Sequence, residues 1–230
     1  VYVRGSHKYS LLKTGISKAF HHHTYLPILP GAFTIAHDKF LTLLQLRAGG
    51  VRIPKTYLAA TAASAKKILA ELEYPIILKT PHGTQGKGVL VADSLMAAKT
   101  MVDALEVFKQ PYLIQEYIDT NFTDIRALVI GGRVIGMQRK AATEEVRANI
   151  HAGGKGTPIE LDADVKQLAL RSAKLVGADI CAVDILEGLK PAVIEVNLSP
   201  GLKGITQATK KNIPQIISSY LAERTSEYLK

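Results

Sequence analysis

The strongest constraint on this chain is a pair of apolar runs, residues 181–186 and 192–198, separated by Glu187-Gly188-Leu189-Lys190. Short apolar segments around turn-forming residues predict an antiparallel hairpin. Side chains alternate between faces along a strand, which puts Glu195 and Asn197 on one side. If Leu186 pairs with Pro191, Asp184 lies opposite Val193 and shares that side, while Val183, Ile185, Ile194 and Val196 point to the core. A slip of one residue would scatter the cluster. Two carboxylates and an amide oxygen then converge, a donor set suited to Mg2+ or Mn2+ with water and phosphate oxygens in the remaining positions. The same pattern also describes the acidic, wet face of an ordinary hairpin, so its meaning depends on the rest of the chain.

With 230 residues there is length for one large domain or two small ones, each with a packed core. A hydrophobic share of 47% with 21% charged residues excludes a mainly disordered chain. No apolar run is long enough to span a membrane. Val1-Tyr2-Val3-Arg4-Gly5-Ser6 has neither an initiator Met nor a secretory pattern, and reads as a chain that begins mid-protein. The lone cysteine, Cys181, falls in an apolar strand as a packing residue, consistent with a reducing, cytoplasmic setting. The net charge of +9 favours anionic partners. Its basic residues are dispersed, Trp is absent and no nucleic-acid signature is present, so a basic surface around a phosphate site is preferred to nucleic-acid binding.

Residues 1–36 are mixed: Tyr25-Leu26-Pro27-Ile28-Leu29-Pro30-Gly31 suggests an irregular connection, and His21-His22-His23 read as a polar loop. Asp38 then caps a helix that stops at Gly49-Gly50. Residues 52–58 suggest a short strand, 64–73 a helix, and 75–79 a second strand. The loop Thr80-Pro81-His82-Gly83-Thr84-Gln85-Gly86-Lys87-Gly88 leads into a strand at Val89, and Ser94 caps a further helix. Residues 112–118 form a strand, and Gly131-Gly132 joins two extended runs as a hairpin. The polar, glycine-rich stretch 140–157 reads as a functional loop. Asp162 and Gly177 bound an amphipathic helix, Pro200-Gly201 breaks the chain after the opening hairpin, and residues 213–228 form a terminal helix.

The glycine loop is informative through what it is not. A Walker loop ends in Gly-Lys-Ser/Thr and enters a helix, whereas Gly86-Lys87-Gly88-Val89 lacks the hydroxyl and enters a strand; the dinucleotide fingerprint fails on spacing. What remains is a flap whose backbone N–H groups can approach phosphate oxygens, or else a plain hairpin turn. Lys79 ends an apolar strand, so it either faces inward toward an anion or lies at the surface. Gln115-Glu116-Tyr117-Ile118 fits a hinge against an adenine edge as well as it fits an ordinary strand.

Taken together, Ile77-Leu78-Lys79, the 83–89 glycine loop, Gln115-Glu116-Tyr117-Ile118, Asp124-Ile125-Arg126, Arg147-Ala148-Asn149, Val183-Asp184-Ile185 and Glu195-Val196-Asn197-Leu198-Ser199-Pro200-Gly201 resemble the ordered motifs of the ATP-grasp ligases, and most closely the RimK-type glutamate ligases. The resemblance runs from about residue 36 to the C-terminus. It implies an α+β, ATP-grasp fold in which two α+β subdomains clasp a nucleotide, with the usual amino-terminal pre-grasp domain largely absent. The implied division is a remnant or linker at 1–36, a small lid subdomain with the glycine flap at 37–114, and a large subdomain with the metal site at 115–230.

By the same matching, Lys39, Lys79, Gly86, Lys87, Gly88, Arg147 and Asn149 fall near the phosphates. Gln115, Glu116, Tyr117 and Ile118 fall at the adenine and ribose, and Asp124 at a further nucleotide contact. Asp184, Glu195 and Asn197 fall at two Mg2+ or Mn2+ ions, and Arg126 and Arg139 look like contacts to an acyl phosphate or a substrate carboxylate. The implied activity is ATP-dependent carboxylate–amine ligation through an acyl phosphate, adding an amino acid, by resemblance glutamate, to a small molecule, a carrier or a protein tail. Homo-oligomerisation stays open. The alternative is a non-catalytic ATP-binding regulatory module, against which the intact acidic cluster argues.

Overall fold

The computed structural model describes residues 1–83, 88–141 and 155–229. Two antiparallel sheets, each with helices against it, build the molecule. The smaller sheet has strand order β1 (Thr56–Ala59), β4 (Tyr112–Glu116), β2 (Ile76–Lys79), β3 (Val89–Ala92). The larger runs β7 (Lys155–Ile159), β6 (Arg133–Lys140), β5 (Thr123–Ile130), β8 (Ile180–Leu186), β9 (Ala192–Asn197). This is the α+β architecture expected. Among the described residues no helix is long and apolar enough to cross a membrane.

Strand alternation gives the small sheet two unlike faces. Ile76, Leu78, Tyr112 and Ile114 pack with α4 (Ala62–Leu69) and α5 (Leu95–Glu106) in one core. Ile77, Lys79, Leu113 and Gln115 are also buried but point the other way. Both helices start at a hydroxyl cap: Thr61 Oγ1 accepts from Ser64 N at 3.2 Å and Ser94 Oγ from Ala97 N at 3.3 Å. Such a cap contributes about 1 kcal/mol.

The large sheet is covered on both sides. Ile125, Ala127 and Val129 of β5 face a core with α6 (Ala163–Val176), and Phe33 and Leu46 join it. Leu128 and Ile130 face the opposite core with Ile205 of α7 (Leu202–Thr209) and Ile213 and Ile217 of α8 (Ile213–Tyr228). Asp162 caps α6 by accepting from Val165 N at 2.7 Å, and Gly177 closes it at φ +81°, a left-handed conformation that a side chain would strain.

Several expectations change. Residues 1–36 hold two helices that were not expected, α1 (Ser10–Phe20) and α2 (Ala32–Ile35), on either side of the 25–31 stretch, which is irregular as expected; Ile28, Ala32 and Phe33 belong to the large core. His21, His22 and His23 do lie in an exposed turn after α1. Strand β1 starts later than expected and α4 is shorter. The end of the stretch 140–157 supplies β7, whose pairing with β6 is non-local and so invisible to turn composition.

The register of the opening hairpin is also corrected. Leu186 pairs with Ala192, and Asp184 lies opposite Glu195, with a register shift between Asp184 and Ile185. The extra residue on β9 is a bulge at Ile194. Its consequence is that Val193, at 0% exposure, takes the core position expected for Ile194, which is half-buried. The bulge lets Val193 and Val196 both face the core without moving Glu195 and Asn197 off the other face.

Candidate active site

Because the bulge restores the alternation, one face of the large sheet carries a row of charges beyond the edge of the α7 and α8 layer. Arg126 of β5 lies directly across from Asp184 of β8, which lies across from Glu195 of β9. One step along, Asp124 of β5 lies across from Arg139 of β6. The side chains join accordingly. Arg126 Nε and Nη2 donate to Asp184 Oδ1 and Oδ2 at 2.8 and 2.7 Å. Arg139 Nε and Nη2 donate to both oxygens of Asp124 at 2.6 Å, and Arg139 Nη2 also lies 3.0 Å from Asp184 Oδ2. Asn197 Nδ2 donates to Asp184 Oδ2 at 3.4 Å.

Carboxylate and guanidinium alternate, so each buried charge has a bidentate partner. Burial would raise the Asp184 pKa, but Arg126 and Arg139 outweigh it and hold the group below its usual value. Asp124 ends up pushed to about 6, because burial and Asp184 together exceed the pull of Arg139 and Arg126. Arg139 is 6% exposed; the Arg126 side chain, at 20%, is the guanidinium nearer solvent.

The small sheet offers a different arrangement. Lys79 is 8% exposed, and its Nζ donates to Gln115 Oε1 at 2.8 Å. Gln115 sits directly across from Thr56, to whose Oγ1 its Nε2 donates at 2.7 Å; that hydroxyl donates in turn to Pro54 O at 2.8 Å. An ammonium can only donate, so the amide oxygen of Gln115 must face Lys79. Burial lowers the Lys79 ammonium to about 8, against an upward pull from Glu195 and with a further push down from Lys39. The inward-facing alternative for Lys79 is the one realised.

A cleft of about 270 Å³ brings Lys39, Gly83, Glu195 and Asn197 together. Lys39 opens α3 (Lys39–Ala48), whose cap is Asp38, accepting from Leu41 N at 2.9 Å. A lysine in the first turn opposes the helix dipole, so its place there is not explained by helix stability. Lys39 Nζ donates to Gly83 O at 2.6 Å and its N–H to Pro81 O at 3.0 Å, tying α3 to the start of the glycine loop. The His37 and His82 rings stack beside it at 5.0 Å.

Of the other expected site residues, Glu116 donates its N–H to Lys55 O at 2.9 Å as β4 ends. Ile118 packs on the turn between β8 and β9, where a Cβ on Gly188 would meet it at 2.5 Å; only glycine admits that approach. Tyr117 is half-buried. Gly88 sits at φ +77° where the chain re-enters β3. Gly86, Lys87, Arg147 and Asn149 lie outside the described residues.

Two residues of these arrangements, Thr56 in the Lys79 relay and Lys13 in the cleft, were not singled out from sequence. Thr56 carries no motif; its signal is a cross-strand partner. Lys13 falls in a mixed segment to which no element was assigned, although Ser10, Lys13 and Ser17 recur at helical spacing.

Among the described residues no three His, Cys, Asp or Glu side chains converge on a metal position. The donor set of Asp184, Glu195 and the Asn197 amide still fits a hard divalent cation. Among the described residues Asp184 Oδ1 accepts from Arg126 alone, which leaves it a lone pair.

A RimK-like ATP-grasp domain model matches residues 36–221. The chain belongs to the RimK-like ATP-grasp family. Curated relatives include a probable alpha-L-glutamate ligase of Thioalkalivibrio sulfidiphilus, 38% identical over 196 residues, covering 84% of this chain and 65% of the relative. One from Syntrophotalea carbinolica is 37% identical over 198 residues, covering 84% and 66%. The chain therefore spans just under two thirds of the length of these relatives. Among solved structures, the ATP-grasp ligase PsnB with a minimal precursor, Mg and ADP superposes with a TM-score of 0.75 at 22% identity, covering 95% of this chain and 69% of that one. A RimK domain ATP-grasp protein of Sphaerobacter thermophilus gives 0.71 at 18%, covering 93% and 77%. At these identities the likeness establishes the ATP-grasp fold.

Proposed function

We propose that this RimK-like ATP-grasp chain is an ATP-dependent carboxylate–amine ligase that adds an amino acid, glutamate, to a carboxylate on a small molecule, a carrier or a protein tail. The observation that carries the reading is the meeting of opposite electrostatics in one region. The Arg126–Asp184–Glu195 row with Asn197 offers oxygen ligands, and Lys39 with the deeper Lys79 offers cations. The names of the curated relatives support glutamate, and Mg with ADP in the PsnB structure supports those ligands here.

A carboxylate resists attack by an amine because oxide is a poor leaving group. In the proposed sequence a carboxylate oxygen bonds to the γ-phosphorus of ATP as the bond to ADP breaks. The amine then attacks the acyl carbon and phosphate leaves. In this reading Lys39, Lys79, Lys87, Gly86, Gly88, Arg147 and Asn149 hold phosphates, Gln115 to Ile118 hold the base and ribose, and Asp124 acts at the nucleotide through Arg139.

Asp184, Glu195 and Asn197 would hold Mg2+ or Mn2+, which when bound would neutralise phosphate charge. Arg126, the more exposed guanidinium, is placed to meet a substrate oxyanion, while Arg139 orients Asp184. Positioning and charge stabilisation perform the chemistry, so Cys181, buried with its thiol pushed up to about 12, has no nucleophilic part. In this scheme residues 37–114 act as the lid and 115–230 as the metal-bearing subdomain.

The test is incubation with ATP, Mg2+ and a panel of carboxylates and amino acids, followed by mass spectrometry. Acceptor-dependent ADP release with glutamate mass increments, lost in Glu195→Ala, is expected. Tight nucleotide binding without turnover in every combination would instead assign a regulatory module.

A further inference from the structure

Helix α1 is turned inside out. Its buried residues are Lys13 and Ser17, whereas Leu11, Leu12 and Ile16 are exposed at 82%, 60% and 37%. The hydrophobic effect alone would roll such a helix the other way. What holds it is polar: Arg4 Nη2 donates to Pro200 O at 2.6 Å and Gly5 N to Ser199 Oγ at 3.3 Å, which dock the preceding segment on the end of β9. As a result Gly5, Ser6, Ser10 and Lys13 line the same cleft as Lys39, Glu195 and Asn197.

Lys13 is the informative side chain. It is 7% exposed, its Nζ lies 5.1 Å from the centroid of the Phe33 ring, and its hydrogen bond to Gly5 O is long at 3.4 Å. Among the described residues it makes no ion pair. An ammonium has three N–H donors, and a ring face plus one weak carbonyl contact leaves most of that capacity unused. A cation buried this way is unfavourable unless an anion meets it. Burial accordingly lowers its pKa. The vacant partner must fit a cleft of about 270 Å³, which has room for a small anionic group beside Lys13.

We propose that Lys13, with the Ser6 and Ser10 hydroxyls, is the subsite for the acceptor carboxylate of the ligase reaction. The assignment rests on the ligase reading, and adds to it the group that holds the acceptor. Phosphate groups have their cations at Lys39 and Lys79. The lining of the same cleft also combines one ammonium and two hydroxyls with the apolar Phe33 and Ala36, which suits a carboxylate on a short aliphatic stem. As that carboxylate becomes an acyl phosphate its charge passes to the transferred phosphoryl group. Lys13 then acts by holding and orienting the reactant carboxylate for attack on the γ-phosphorus.

N-Acetyl-L-glutamate, which offers carboxylates but no nucleophilic amine, isolates this subsite. It is titrated calorimetrically into the chain saturated with Mg2+ and ADP, for the wild type, Lys13→Met and Lys13→Arg. Methionine keeps the apolar stem over Phe33 and removes the charge. Lys13→Met is expected to bind the probe about tenfold more weakly or worse, with Lys13→Arg close to wild type and Mg·ADP affinity within about twofold throughout. Equal binding by Lys13→Met overturns the subsite. So does a parallel loss of Mg·ADP binding, which marks a structural role. A wild type that binds Mg·ADP but not the probe overturns the subsite alone, whereas failure to bind Mg·ADP overturns the ligase reading beneath it.

Discussion

The two sheets treat buried charge in opposite ways. On the large sheet Arg126, Asp184, Arg139 and Asp124 neutralise one another in consecutive bidentate contacts. On the small sheet Lys79 meets only the neutral amide of Gln115 among its hydrogen-bond partners in the described residues, and its pKa falls to about 8. The ladder is complete before any ligand arrives and so serves as a rigid template. The lone ammonium is incomplete, and an anion would relieve it. The difference is one between a preorganised scaffold and a site that awaits its partner.

The sharpest way to break the contrast is to remove one carboxylate from the ladder. Asp184→Ala deprives half-buried Arg126 of its bidentate partner and buried Arg139 of one of its two carboxylates, and chemical denaturation is expected to show a loss of about 3 kcal/mol. Magnesium-dependent ADP release should fall with it by about 100-fold or more. A stability loss below the level of an ordinary surface substitution would mean that the ladder is not the template described here.

Lys79→Met should do the reverse in the ligand-free chain. A depressed ammonium costs stability below its folded pKa, and that cost is relieved as pH rises through about 8 toward the unfolded value. Removing it is therefore expected to stabilise the free protein by about 1–2 kcal/mol at pH 7, while weakening ATP about tenfold or more. A destabilised variant with unchanged ATP affinity would refute the comparison.

The same lysine predicts a proton signature. Above pH 8 the free protein holds Lys79 neutral, and the phosphates of ATP would recharge it. Calorimetry at pH 8.5, in buffers of differing ionisation enthalpy, should register uptake of a fraction of a proton approaching about one per ATP, diminishing toward pH 7. Lys79→Met should abolish that uptake.

The smallest effect belongs to the relay. Thr56→Val removes the hydroxyl that orients Gln115 while leaving the lysine in place. ATP affinity should drop by only about two- to fivefold, in line with one neutral hydrogen bond. Gln115→Leu, which deprives Lys79 directly, should exceed it.

Much of this was legible in the sequence because it is local. The Asp38, Ser94 and Asp162 caps, the Gly177 stop, the Gly131-Gly132 hairpin and the shared side of Glu195 and Asn197 all follow from chemistry within a few residues. Motif order led to the ATP-grasp fold. Strand β7 and the inverted helix α1 were missed, since each depends on a partner far along the chain.

By itself the sequence determined which residues could serve: oxygen ligands on one hairpin, lysines at the ends of a strand and a helix, glycines between strands. Tertiary structure decided how they are used. Whether Arg126 stands across from Asp184, 58 positions away, depends on the register between β5 and β8, which neither strand encodes alone. The bulge at Ile194 then lets Val193 and Val196 fill the core while Glu195 and Asn197 keep the charged face. Packing of the whole sheet rewards that arrangement; periodicity within one strand carries no trace of it.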